Sequence, residues 1–155
     1  MFKAIWSLGL NKFEYARAVR EAVFVQERGI AEQEEFDWFD GIAAHLYVSD
    51  EADTPIAAGR LYPDGELTRL DRIAVMPDFR GLPYDDLVLR TMLYKAQQLG
   101  GDVIATQVLA DEVAMYLPFG FTQTATKLMR GGEYAELTVM RDCVKWDSAC
   151  KHDNK

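Results

Sequence analysis

From Ala44 to Val75 the chain reads as three extended runs packed closely in sequence, and this stretch constrains the fold most. Ala44–Ser49 alternates apolar and polar residues, Ile56–Tyr62 follows a polar turn at Asp50–Pro55, and Glu66–Val75 follows Pro63-Asp64-Gly65. That tripeptide suits a reversal, because Pro presets its φ, Asp bonds its own backbone and Gly tolerates positive φ. Links this short join neighbouring strands, which predicts an antiparallel meander that the rest of the chain must cover.

The flanking segments supply that cover. Phe2–Ser7 reads as a first strand. Asn11 and Glu14 have the spacing of a capping box, with Asn in place of Ser or Thr, and predict a helix start at Asn11. Phe13, Ala16, Val19, Val23 and Phe24 then recur at helical spacing, with an end expected between Glu27 and Gly29. An acidic loop, Glu32–Gly41, carries Phe36, Trp38 and Phe39. After the meander, Pro77–Pro83 is a loop and Asp85–Leu99 a helix with Leu87, Val88, Met92, Leu93 and Ala96 facing inward, closed by Gly100-Gly101. Val103–Val108 is a buried strand, Ala110–Leu117 a short helix ending at Pro118, and Phe121–Lys127 with Tyr134–Arg141 a final antiparallel pair. The order is β-α-β-β-β-α-β-α-β-β, an α/β (α+β) protein with a mixed, mostly antiparallel sheet flanked by helices. Its 155 residues suit one domain, here 1–141, followed by a tail over 142–155 that reads as mobile, with Trp146 tacking part of it down.

Charge narrows the partners. The chain carries a formal net charge of -8, which repels nucleic-acid phosphate and anionic membrane surfaces and favours cationic partners such as amines or basic peptides. No apolar run is long enough to span a membrane, and Met1–Leu10 lacks the pattern of a signal peptide, so a cytoplasmic location is expected. Cys143 and Cys150 read as free cytosolic thiols. His45 and His152 cannot build a typical zinc site with these distant cysteines, so no metal is expected.

Local motifs in this order are more specific than the order itself. Arg72-Ile73-Ala74-Val75-Met76-Pro77-Asp78-Phe79-Arg80-Gly81 and Ala114-Met115-Tyr116-Leu117-Pro118-Phe119-Gly120-Phe121 resemble the central strand, its following loop and the later Tyr-to-Gly-Phe segment of the GNAT acetyltransferases. Arg20-Glu21-Ala22-Val23-Phe24-Val25-Gln26-Glu27, then Asp37, Asp40 and His45, then Gly59-Arg60-Leu61, are similar to the ElaA-like subgroup of that family. The resemblance spans roughly Phe2–Arg141 and implies an N-acetyltransferase in which an amine of a small molecule or peptide directly attacks the thioester of acetyl-CoA, used as co-substrate.

It also implies roles. Backbone groups of Ile73, Ala74 and Val75 would pair with the cofactor's amide-bearing arm, as an added strand pairs with a sheet edge. Arg80, Gly81, Leu82 and Tyr84 belong to the expected phosphate loop. Tyr116 stands where the family places the acid that protonates the leaving thiolate; its alternative is a packed aromatic on a short helix. Glu27 and His45 are candidate bases, and Asp37 and Asp40 candidate contacts for a cationic amine or ordering groups for their loop. For His45 the alternative is a locally satisfied histidine, and for Glu32, Glu34 and Glu35 a solvated charged face. Leu137 stands three residues before Met140 where the subgroup usually has His. Phe36, Trp38 and Phe39 suit either a homodimer interface or a cover over the cleft.

The phosphate loop departs from the family pattern, Arg/Gln-x-x-Gly-x-Gly/Ala. In Arg80-Gly81-Leu82-Pro83-Tyr84-Asp85-Asp86, Pro83 takes the place of the first motif glycine and Asp85 that of the second small residue. Pro83 has no N–H to donate, and Asp85 and Asp86 place negative charge where a diphosphate would sit. The same residues suit a helix start without ligand, with a carboxylate on the free N–H groups. A loop of shifted register, with Gly81 making the close approach, is the rival explanation. The alternative function is a binding or regulatory domain on this fold that has lost tight CoA binding.

Overall fold

The computed structural model describes residues 1–146, so the tail expectations for 147–155, including Cys150 and His152, lie outside the described residues. Seven strands form one sheet: β1 (Phe2–Leu8), β2 (Ala44–Asp50), β3 (Pro55–Asp64), β4 (Leu67–Val75), β5 (Val103–Leu109), β6 (Thr122–Met129) and β7 (Gly132–Met140), in spatial order β1-β2-β3-β4-β5-β7-β6. Every neighbouring pair is antiparallel except β4–β5. The meander is therefore the predicted one. Its second reversal lies at Gly65-Glu66 rather than Pro63-Asp64, because Pro63 and Asp64 extend β3 opposite Thr68 and Leu67.

The helical cover is less regular than its apolar spacing suggests. α1 (Glu14–Arg20) begins three residues after Asn11, and Asn11 does not cap it. Lys12 adopts φ 54, which breaks the helical path between Asn11 and Phe13. α1 then passes without interruption into a wider π-helical segment, Glu21–Glu27, whose exit is marked by Arg28 N–H donating to Val23 O (3.1 Å) and by Gly29 at φ 73. Within the acidic loop lie α2 (Glu32–Glu35) and a 3-10 turn, Trp38–Gly41. The long helix α3 (Tyr84–Gln98) buries Val88, Leu89, Met92, Leu93 and Ala96 against the sheet. It approaches β3 so closely that a Cβ on Gly59 would lie 2.2 Å from Met92 Sδ and 2.9 Å from Val88 Cγ1, so a side chain here would displace Met92. α4 (Val113–Tyr116) sits between two 3-10 turns.

Two cores result, one on each face of the sheet. Leu46, Leu61, Leu70, Ile104 and Leu137 join α3 on one face, and Phe13, Val19, Val23 and Phe24 pack on Tyr47, Ala58 and Ala74 on the other. Trp146 closes the first core, packing edge-on to Phe119 and donating its Nε1–H to Gln97 Oε1 (2.8 Å). Among the described residues no helix is long and apolar enough to cross a membrane.

Candidate active site

The site originates in the one parallel pair. β4 and β5 bond only through Leu67–Arg69 and Val103–Ala105. Beyond that, β4 stays with β3 and β5 with β7, so the sheet opens. A bulge sharpens the divergence: Ala58 pairs with Ala74 and Arg60 with Asp71, so Arg72 and Ile73 share one place opposite Gly59, with Arg72 at φ 57. Ile73–Val75 therefore presents a strand edge with no strand partner on its β5 side.

A pocket of about 350 Å³ occupies this opening. Ile73, Ala74 and Val75 form its floor, Met115 and Tyr116 one wall, Val23, Glu27 and Arg28 another, and Arg80, Gly81, Leu82 and Asp85 its mouth. Asp111 and Glu112 complete it. The π-helical turn brings Val23, Glu27 and Arg28 to one wall, and wide turns of this kind are frequent at functional sites. A narrow hollow of about 20 Å³ adjoins the pocket, sharing Arg28, Ile73, Glu112 and Tyr116 with it. That hollow shares Asp71, Arg72, Gln107 and Arg130 with a further open hollow of about 290 Å³.

Tyr116 is only 2% exposed, and burial pushes its phenol well above the usual range. It is therefore a neutral O–H donor throughout the physiological range. Arg80 spans the mouth: its two terminal nitrogens donate to both oxygens of Glu27 at 2.7 and 2.6 Å, and its Nε donates to Val75 O at 3.0 Å. This bond lowers the Glu27 carboxyl. Both partners are more than 40% exposed, so the pair is a weak constraint on stability.

The start of α3 is occupied by its own residues. Asp85 Oδ1 accepts the Asp86 N–H at 2.7 Å, and Leu87 N–H donates to Pro83 O at 3.0 Å. Asp86 points elsewhere and accepts from Arg90 Nε at 2.8 Å, an i,i+4 pair. The inner half of the pocket fits an acyl thioester on an amide-bearing arm, since it offers an open strand edge and a buried neutral phenol. The outer half does not fit a diphosphate, since the helix start already holds a carboxylate and lacks the Pro83 N–H.

Four expected site residues, His45, Asp40, Tyr84 and Asp37, lie outside this pocket. His45 on β2 is fully buried, its Nε2 3.0 Å from Asp40 O and its ring against Phe13; burial lowers its pKa. It is a packed core histidine with no place in the pocket wall. Asp40 is 3% exposed and is taken up by Arg20 (2.7 Å) and Arg60 (3.0 Å), as the loop-ordering alternative expects. Tyr84 packs edge-on against Phe79 and Phe2 on the far side of the loop, beside Pro83 and Leu87. Asp37 does reach the 290 Å³ hollow, although Arg60 Nη1 donates to it at 2.6 Å.

Sequence reasoning missed Arg28, Asp111 and Glu112 in the pocket. It also missed a buried ion cluster beneath α1 and α2. Arg20, Arg60, Arg72 and Arg130 interlock there with Glu35, Asp37, Asp40 and Asp71. Glu35, expected on a solvated face, is fully buried. Burial alone would raise the Asp71 carboxyl, but Arg60 and Arg72 outweigh it and hold it far below the usual range. The available signal was the run of arginines within β3 and β4, Arg60, Arg69 and Arg72, in strands otherwise reading as core.

Comparison with known proteins supports the fold. No protein-family model matches the chain. The uncharacterised N-acetyltransferase YjcF of Bacillus subtilis (strain 168) is 24% identical over 140 residues, covering 90% of this chain and 99% of its own. A crystal structure of a candidate N-acetyltransferase from Lactobacillus plantarum superposes with a TM-score of 0.80 at 26% identity, covering 90% of this chain and 97% of that one. Escherichia coli ElaA shares the fold, with a TM-score of 0.76 at 19% identity over 89% of this chain and 99% of its own.

Proposed function

We propose that this chain, a member of the GNAT superfamily, is an N-acyltransferase that moves a short acyl group, acetyl in the simplest case, from an acyl-CoA-type thioester to a primary amine. One observation carries the reading: the unpartnered edge at Ile73–Val75 and the buried phenol of Tyr116 line the same pocket. A non-catalytic binding domain would not need a neutral, buried proton donor beside an open strand edge.

An acyl thioester supplies an activated carbonyl carbon. The backbone of Ile73–Val75 binds and orients the amide-bearing arm, and an N–H of that edge is the available donor for a developing oxyanion. As the new C–N bond forms and the C–S bond breaks, Tyr116 gives its proton to the departing thiolate sulfur, and the proton that the acylated nitrogen loses restores the phenol by way of solvent, so that the products are the amide and the free thiol. Of the candidate bases, Glu27 alone lines the pocket, and Arg80 makes it a weak one. The rate is therefore expected to rise with pH as the amine loses its own proton.

The test is thiol release from acetyl-CoA in the presence of a panel of primary amines and amine-bearing peptides, with the acylated product identified by mass spectrometry. Free thiol formed in step with an acylated amine supports the proposal. No amine-dependent release from any short-chain thioester overturns it.

A further inference from the structure

We infer that the donor is recognised through its thioester and amide-bearing arm alone, that the nucleotide diphosphate of CoA adds no net affinity, and that Asp85 with Pro83 sets this specificity. The inference rests on the acyltransferase reading above and narrows its donor to thioesters of pantetheine-like thiols, with or without a nucleotide.

Three features at the pocket mouth act together. Tyr84 N–H donates to Leu82 O at 2.9 Å, Leu87 N–H to Pro83 O, and Asp86 N–H to Asp85 Oδ1. Pro83 has none to give, so at most one N–H, that of Asp85, remains over residues 83–87 for an incoming phosphate. The carboxylate of Asp85, on the Asp86 N–H, sits where the helix dipole would otherwise favour an anion. Across the pocket, Glu27, Asp85, Asp111 and Glu112 outnumber Arg28 and Arg80. Glu27 already holds Arg80 at two points, and Glu112 lies 3.4 Å from Arg28. The Arg80 pair is exposed and could exchange partners at little cost. The missing Pro83 N–H cannot be restored by any rearrangement, and with the Asp85 charge beside it makes the exclusion.

Nothing comparable opposes the arm. The edge at Ile73–Val75 has no strand partner on its β5 side, Val75 O alone being engaged there, by Arg80 Nε, and Tyr116 is uncharged. The two halves of a CoA thioester thus meet opposite environments within one pocket.

Calorimetric titration of the full chain with acetyl-CoA, with acetyl-pantetheine and with adenosine 3′,5′-bisphosphate tests this directly. The expected result is dissociation constants for the two thioesters within about threefold, and no competition from the bisphosphate at millimolar concentration. The Pro83→Gly/Asp85→Gly variant should raise the preference for acetyl-CoA over acetyl-pantetheine by about a hundredfold, given two restored contacts to a charged group. Asp85→Asn, which keeps the helix start, should give part of that gain. Acetyl-CoA binding about a hundredfold or more tighter than acetyl-pantetheine in the unaltered protein overturns the inference, as does binding of neither. Failure of the acyltransferase reading is separate: both thioesters bind alike, and no amine is acylated from either.

Discussion

Two sets of ion pairs built from the same residue types lie within this small sheet, and they do different work. Beneath α1 and α2, four guanidinium and four carboxylate groups interlock, with Arg20, Arg60, Asp71 and Glu35 essentially sealed from water. At the pocket mouth, Glu27 and Arg80 pair in two-point geometry but with side chains more than 40% exposed. Removing one partner of a buried pair strands the other as an uncompensated charge, whereas breaking an exposed pair returns both groups to water. The buried cluster therefore holds the bulge at Arg72 and the opening beside it, and the exposed pair is free to rearrange when the pocket fills.

The sharpest way to break this contrast is Arg60→Ala. Asp71, Asp37 and Asp40 all lose a partner, and unfolding free energy should fall by about 3–5 kcal/mol, read from urea or thermal denaturation. A loss under about 1 kcal/mol would make the cluster equivalent to the surface pair. Tyr116→Phe addresses the pocket alone: the acylation rate should fall about a hundredfold or more, with donor affinity and thermal midpoint little changed.

Acid should separate the two sets more gently. Asp71 and Asp40 have folded pKa values below their unfolded ones, near 3.9, so their contribution is present above that range and is lost as pH falls through it. Denaturation midpoints should decline below about pH 4, and Asp71→Asn should flatten that decline. The smallest effect is expected from Glu27→Gln. Stability should change by less than about 1 kcal/mol, while the released Arg80 should alter donor affinity and its salt dependence.

The strands were legible because alternation along a half-buried ribbon is a local signal. β2, β3 and β4 fall within one or two residues of their expected ends. The start of α1 was not, because the capping spacing of Asn11 and Glu14 carries no information about the left-handed turn at Lys12. In the site, Ile73–Val75, Arg80, Tyr116 and Glu27 were identified from their motifs, and the structure brings them to one pocket. His45 and Asp40 came from equally specific motifs, yet they lie within the core. Short motifs preserve which residues neighbour the cleft, but not which of their side chains turn toward it.

By itself the sequence determined the order of elements, the antiparallel meander, and the chemical content of the phosphate loop: a proline has no N–H and an aspartate carries charge in any fold. Only the tertiary structure decided which charges meet. Arg130 pairs with Glu35 across 95 residues of chain, and Arg80 with Glu27 across 53. Neither contact has a local signature, since each depends on where the sheet opens and on how the π-helical turn is aimed. The Asp85 carboxylate was legible as a residue; its place on the Asp86 N–H, inside the mouth of the pocket, required the fold.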